Sequence, residues 1–282
     1  MTSGQAETIA RRTQRSFGYQ WTVFGQMAEE FRRDFLNYIH PLSEDFFPGK
    51  LGLDAGCGFG RHVYHAAEFG ARMVGLDFSK AIVRAAEITA GLPNVRLVQG
   101  DIGAPPFRSR SFDFVYSIGV LHHLADPEAG FRALLPLVRP GGVIFIWVYS
   151  KSRRVTNAVL EAVRAVTSRL PLAVTRVLSL MGAIADWCGF ILPYRLLRRL
   201  VGPAVDRYAL PRIRVYAQHG FSVVYADWFD RLVAPIRHYY DGEDLAAWAG
   251  RAGLADAQIS PTGLYGWRLL ARVPEATRGG GS

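Results

Sequence analysis

Leu51-Gly-Leu-Asp-Ala-Gly-Cys-Gly-Phe-Gly60, followed by Val74-Gly-Leu-Asp77, decides the fold. An apolar run enters a loop with glycines at 56, 58 and 60, and a helix-like segment leaves it; a second apolar run then stops on an acid. Glycine has no Cβ and tolerates positive φ, so such a loop turns tightly and approaches a ligand closely. The N–H groups at the start of the following helix lack intrahelical acceptors and face whatever sits there. An acid closing the second strand, about 20 residues on, is placed to hold both hydroxyls of a ribose. The unit reads as a nucleoside-cofactor site.

The details discriminate between cofactors. A dinucleotide fingerprint is G-x-G-x-x-G, with a pyrophosphate at the helix N-terminus. Here the pattern is Asp54-x-Gly56-x-Gly58-x-Gly60. A carboxylate before the first glycine repels a pyrophosphate and suits a ligand with an ammonium and a sulfonium, which makes a nicotinamide-linked oxidoreductase the poorest reading. Residues 51–149 resemble the class I S-adenosylmethionine (SAM)-dependent methyltransferases, most closely the small-molecule group called methyltransferase type 11. Val95-Arg-Leu-Val-Gln-Gly-Asp101-Ile102 looks like that family's third strand, and Ser111-Phe-Asp-Phe-Val-Tyr-Ser117 like its fourth. Val120-Leu-His-His-Leu-Ala-Asp126-Pro127 looks like the helix and loop after it, and Leu137-Val-Arg-Pro-Gly-Gly-Val143 like the turn into the fifth.

The resemblance implies site roles. Asp54 orients the sulfonium and amino-acid end of SAM, and main-chain groups at Ala55, Gly56 and Gly58 face the methionine portion, with Gly60 closing the loop. Asp77 takes the ribose hydroxyls and Phe78 the adenine face. Asp101 and Ile102 read the adenine edge, and Ser117 and Ile118 line the pocket between cofactor and acceptor. S-adenosylhomocysteine is the product. His122 and His238 are the candidate bases, although a His-His pair at 122 and 123 also suits a helix-ordering role. His238 sits among aromatics in Trp228-Phe-Asp-Arg-Leu-Val-Ala-Pro-Ile-Arg-His-Tyr-Tyr240, a segment placed to roof the acceptor. Tyr19, Trp21, His123 and Tyr239 complete the expected lid and acceptor wall. No His, Cys or acid cluster has metal-ligand spacing, so no metal is expected.

Alternating strand and helix signals extend outward from this centre. Strands are expected near 50–54, 72–77, 95–99, 112–117 and 142–149, and helices near 60–69, 79–90, 128–137 and, weakly, 119–123. The fold class expected is α/β, a Rossmann-like doubly wound seven-stranded sheet with an antiparallel C-terminal hairpin, an N-terminal helical arm and a helical insertion. The arm is residues 1–50, where Phe17, Tyr19, Trp21, Phe24, Met27, Phe31, Phe35 and Tyr38 recur at helical spacing, to pack on the core or to fold over the cofactor. The SAM-binding core is 51–149 and the insertion 150–240, divided by Pro171, Pro193, Pro203 and Pro211. A final helix near 241–253 and strands at 255–260 and 265–273 complete the core within 241–274, and 275–282 is a flexible tail.

The formal net charge of +9 is concentrated in the insertion. Between Lys151 and Gln218 there are 12 Lys or Arg against Glu161, Asp186 and Asp206, which accounts for the whole excess. Such helices read as a solvated outer face, as a peripheral membrane contact giving access to a lipid-like acceptor, or as a homo-oligomer contact; no nucleic-acid-binding module is recognised, so nucleic acid is the weaker partner. The apolar stretch Leu170–Leu192 is interrupted by Arg176 and Asp186 and makes a poor bilayer span. Two cysteines, Cys57 and Cys188, give no disulfide framework. With no signal-peptide layout at the start, the expected location is cytoplasmic, peripheral to the inner face of a membrane where the insertion binds one. The expected activity is methyl transfer to a hydrophobic or amphipathic small molecule of polyketide, quinone, isoprenoid or glycolipid type. The alternatives are methylation of RNA or protein, and an inactive SAM-binding partner subunit.

Overall fold

Strand β4, Phe112–Ile118, is buried at every position except Asp113, the mark of a central parallel strand covered on both faces. It belongs to a seven-stranded sheet with β1 (Leu51–Ala55), β2 (Arg72–Asp77), β3 (Val95–Gln99), β5 (Val138–Tyr149), β6 (Ala255–Thr262) and β7 (Gly266–Arg272). The order is β3-β2-β1-β4-β5-β7-β6. The first five strands are mutually parallel and β7 runs antiparallel to both β5 and β6. The computed structural model describes residues 8, 11–16, 18, 19, 30–263 and 265–275. Phe17, Trp21, Phe24 and Met27 of the N-terminal aromatic stripe and the tail beyond Glu275 lie outside the described residues.

Residues alternate along β5 between two apolar layers: Ile144, Ile146 and Val148 enter one, Val143, Phe145 and Trp147 the other. The first layer takes Phe131 and Leu134 from α4 (Pro127–Leu134) and Leu245 and Trp248 from α10 (Gly242–Arg251). The second takes Phe35 from α1 (Glu30–Ile39), Val63 and Ala66 from α2 (Arg61–Glu68) and Ile82 from α3 (Ala81–Thr89). Local chemistry starts these helices where it should. Asp126 caps α4 by accepting from the Ala129 N–H at 2.9 Å, with Pro127 at its first position. Asp241 and Asp244 form a reciprocal capping box on α10.

The expected boundaries shift where the chain meets particular packing. β5 begins at Val138 rather than near 142, with its register slipping against β4 between Phe112 and Phe114. Gly141 at φ +75° carries the chain through that irregularity. β6 continues through Pro261 to Thr262, which an edge strand tolerates because its outer N–H groups need no partner. The weak helix near 119–123 is a 3-10 turn, Leu121–His123.

Two units emerge from the contacts: residues 1–157 with 236–282, and Ala158–Pro235. The helices from 154 onward are α5 (Arg154–Thr167), α6 (Leu172–Asp186), α7 (Leu192–Val201), α8 (Pro211–Tyr216) and α9 (Phe221–Val233). Pro193 does not divide them, contrary to the sequence expectation. A π-helical turn at Trp187–Ile191 opens the hydrogen-bond ladder just before the proline, whose missing N–H then interrupts nothing, and α6 and α7 run on as one 30-residue helix, Leu172–Val201. Its most apolar 18-residue window has a mean hydropathy of 1.5 and is 28% buried, so by length and composition it passes as a bilayer span where the shorter stretch was read as a poor one.

The second unit has a small apolar cluster of Ala183, Ile191 and Val224, but its helix α6 packs mostly polar side in. α6 buries Thr175, Ser179, Ala183 and Asp186, while Val174, Val177, Leu178 and Met181 on its other face are exposed. Asp186 pairs with Arg212 and accepts from Trp228 Nε1 at 3.1 Å. Thr167 donates to the Leu232 carbonyl at 2.8 Å, and Gly182 lies under the Trp228 ring, where a Cβ would come within 2.6 Å.

Candidate functional site

The order of strands reverses between β1 and β4, and their carboxyl ends open the crevice in which doubly wound sheets bind ligands. Asp54 and Ala55 end β1, Asp77 ends β2, and Ser117 and Ile118 end β4. The loop after β1 is held from below: the N–H groups of Gly56 and Cys57 both donate to the Leu76 carbonyl, at 2.7 and 3.0 Å. Gly56, Gly58 and Gly60 all have left-handed φ, at +91°, +55° and +87°. Gly60 is the residue from which α2 starts.

Asp77 does more than close a strand. Its Oδ2 accepts the Gly58 N–H at 2.8 Å, and its Oδ1 accepts the Ser79 N–H and hydroxyl at 2.8 and 2.7 Å. One carboxylate thus ties the glycine loop to the turn into α3. Burial raises its pKa, and the hydrogen bonds from Ser79 and Gly58 oppose that rise. A carboxylate has further lone pairs with which to accept other donors.

Asp54 differs. It is 1% exposed, and neither oxygen has a hydrogen-bond partner of good geometry. Burial pushes its carboxyl well above the ordinary range, the negative charge of Asp77 adds to the rise, and the facing Tyr116 hydroxyl and Arg61 work against it. A buried, unsatisfied carboxylate costs free energy that a bound cation offsets. That fits a ligand carrying an ammonium and a sulfonium. Cys57, between these acids, has its thiol pushed up by burial and then by Asp77 and Asp54, so it stays protonated and fills space against Gly75.

The β3 side of the crevice is more open. Asp101 is exposed and accepts the Gly103 N–H at 2.8 Å, while Ile102 beside it is buried. Phe78 is 40% exposed, and its carbonyl accepts from the side chains of Gln14 at 2.8 Å and Gln99 at 3.3 Å. Gln14 lies in a helical segment over residues 11–16, and Gly18 packs within van der Waals reach of Ser79 and Lys80. Among the described residues of the N-terminal arm, Gln14 and Gly18 therefore lie against the β2–α3 turn, and Tyr19 is half-buried. Ser117 is fully buried and donates to the Ala55 carbonyl at 2.8 Å, stitching β4 to β1; Ile118 is buried beside it.

A second cluster at this end of the sheet converges from three distant segments. A Cβ on Gly56 would lie 2.5 Å from both Val120 methyl groups, so the glycine loop abuts the turn that carries His122 and His123. The His122 ring centroid is 4.0 Å from Tyr149 and 4.3 Å from His123. Its carbonyl accepts the His238 N–H at 2.8 Å, and His123 Nδ1 donates to the Ile236 carbonyl at 2.9 Å. The Arg237 guanidinium sits 4.5 Å from the Tyr149 ring centre. His122 is wholly buried with neither ring nitrogen hydrogen-bonded; burial, followed by His123, Arg237 and His238, lowers its pKa well below 6.5 and keeps it neutral. His238 is half-buried, its Nε2 also without a partner, and Tyr239 follows it. Tyr149, Arg237, Ser79 and Tyr116 were missed by sequence reasoning. Tyr149 was findable, because it closes β5 as Asp54 closes β1; the others carry no local signal. Among the described residues, no cluster of three or more His, Cys or acids is placed to hold a metal.

Comparisons with known proteins agree with this geometry. Residues 53–146 match the family model described as a methyltransferase domain. A ubiquinone biosynthesis O-methyltransferase from Ralstonia nicotianae is 34% identical over 45% of this chain and 56% of its own length. A sterol 24-C-methyltransferase from Gibberella zeae is 32% identical over 47% of this chain and 37% of its own. The chain spans about half the length of the first of these curated relatives and less of the second. The solved structure of a Burkholderia thailandensis 1,6-didemethyltoxoflavin-N1-methyltransferase superposes with a TM-score of 0.56 at 15% identity, covering 96% of this chain and 91% of that one, and so shares the fold.

Proposed function

We propose that the protein, whose residues 53–146 match the methyltransferase-domain family model, transfers the methyl group of SAM to a hydrophobic or amphipathic small molecule of quinone, polyketide, isoprenoid or glycolipid type. The observation that carries the reading is the buried, partnerless carboxylate of Asp54 at the strand-order reversal, a cation site beside a glycine loop. The named activities of the quinone and sterol relatives support an apolar acceptor.

SAM supplies an electrophilic methyl carbon on a sulfonium. Asp54 would hold the cationic end, Asp77 would accept from the ribose, and Asp101, Ile102 and Phe78 would meet the adenine. Main-chain groups at Ala55, Gly56 and Gly58 border the methionine portion. Such positioning is worth about 7–11 kcal/mol in favourable models. The wall of Tyr149, His122 and His123 excludes water on the acceptor side. His238, with its Nε2 uncommitted, takes the proton when the acceptor is a hydroxyl, a role worth about 10²–10⁴-fold.

Calorimetric titration with SAM and S-adenosylhomocysteine, followed by transfer of labelled methyl to a panel of quinols, phenolic polyketides, isoprenoids and glycolipids, tests the reading. His238→Ala should lower turnover by about 10²-fold or more while leaving SAM affinity nearly intact. A full rate in that variant removes His238 from the site. Absence of SAM binding by folded wild type overturns the proposal.

A further inference from the structure

We propose that the Ala158–Pro235 unit seats itself in the surface of an anionic lipid bilayer, apolar faces down, independently of the methyl-transfer chemistry. Soluble helices turn apolar stripes inward and polar ones outward. Helices α5 and α6 of this unit do the reverse, while α9 buries Val224, Phe229 and Leu232 in the ordinary way. In α5, Val159, Val163 and Val166 share one exposed face, while Arg164, paired with Glu161, and Thr167 are buried on the other. The same inversion in α6 buries a row of Thr, Ser, Ala and Asp. In α7, Leu192, Leu196 and Leu200 line one exposed side, Leu200 at 82%. Exposed apolar faces on successive helices exceed what scattered surface residues account for.

Charge selects the occupant. Residues 158–235 hold ten arginines against five acids. Asp186, Asp206, Asp227 and Glu161 are each met by an arginine within the unit, so the surplus lies elsewhere, and Arg169, Arg199 and Arg214 are exposed. Arg199 falls on the same helical face as Leu196 and Leu200, where its long stem lets the guanidinium reach headgroups while the leucines enter the acyl boundary. A second copy of the same cationic surface would bring like charges together; anionic headgroups neutralise them. The continuous helix Leu172–Val201 lies in the interface plane rather than crossing it. Its exposed apolar stripe lies opposite the buried Thr175, Ser179 and Asp186, and Arg176, Asp186, Arg195, Arg198 and Arg199 recur along its length.

Flotation of the full chain with vesicles of phosphatidylcholine alone, or with about a third phosphatidylglycerol, tests this. Wild type should float with the anionic vesicles and detach as added salt shortens the screening length. Arg169→Gln with Arg199→Gln should weaken partitioning about 25-fold, roughly fivefold per arginine. Val177→Ser with Met181→Ser and Leu200→Ser should abolish flotation without changing the circular dichroism, since all three side chains are already exposed. Failure of wild type to float at low salt, or equal binding to neutral and anionic vesicles, overturns the proposal. So does a wild-type dimer that the triple serine variant converts to monomer while vesicles remain unbound, which would assign the face to a second copy.

Discussion

Gly56→Ala puts one methyl group where the glycine loop meets the Val120 turn, at the carboxyl ends of β1 and β4. Two separate costs follow. The backbone there has φ +91°, and a non-glycine residue in left-handed space costs about 1–2 kcal/mol. The new Cβ would also lie 2.5 Å from both methyl carbons of Val120, about 1 Å inside normal carbon–carbon contact. Overpacking of that kind costs about 1–3 kcal/mol. Together these amount to roughly 2–5 kcal/mol, or a melting shift of about 4–20 °C at about 2–4 °C per kcal/mol for a unit of this size. Gly253→Ala is the control: its φ is +62° and nothing lies within 4 Å, so only the strain applies. Scanning calorimetry of Gly56→Ala, Val120→Ala and the double variant completes the measurement. Relief of the clash should appear as a coupling of about 1–3 kcal/mol between the two sites, and a coupling within about 0.5 kcal/mol of zero would refute the contact as the cause.

Asp54→Asn removes an ionised group that burial disfavours, so the ligand-free protein should melt higher while its SAM affinity drops about 10–150-fold, the loss of a charge-assisted hydrogen bond of about 1.5–3 kcal/mol. Because the folded pKa of Asp54 is raised, its stability cost grows as pH climbs from the ordinary carboxylate range to the folded value and is constant above; a simultaneous fall in melting temperature and affinity would instead make Asp54 a structural acid. His62 and His122 are both held neutral by burial, so each contributes stability that is complete above pH 6.5 and is lost below it, by up to about 1.4 kcal/mol per pH unit. His122→Gln should therefore flatten the decline in melting temperature between pH 7 and 5, and an unchanged slope would show that His122 protonates in place.

The parallel core was legible because each strand is a short apolar run that ends on a chemically distinctive residue, as Leu51–Asp54 and Val74–Asp77 do. Their positions at adjacent strand ends follow from topology alone. Asp77 shows the limit: its spacing implied a ribose contact, but its bonds to Gly58 and Ser79 depend on side-chain direction at a turn. The gathering of His122, Tyr149 and His238 spans over a hundred residues, and no local pattern records such a meeting. Periodicity was equally silent about orientation in the helices after 154. A stripe of valine and leucine opposite a stripe of threonine, serine and alanine has the same period whichever side turns inward, and only packing chose the polar side. The uninterrupted helix through Pro193 was hidden because a π turn has no sequence signature strong enough to outweigh a proline.

The short bridge Ser150↔Tyr240, reinforced by the Lys151 N–H donating to the Tyr240 carbonyl at 2.8 Å, pins together the two ends of the long excursion between them. For the sheet, this clasp turns some ninety residues into the equivalent of a surface loop. Loop-closure entropy grows only as the logarithm of length, about 0.6 kcal/mol per doubling, so the sheet is nearly indifferent to how much chain lies beyond the clasp. Shortening, lengthening or exchanging that excursion is thermodynamically cheap for the core. The fold therefore leaves the surface of that excursion free to change while the sheet below the clasp stays as it is.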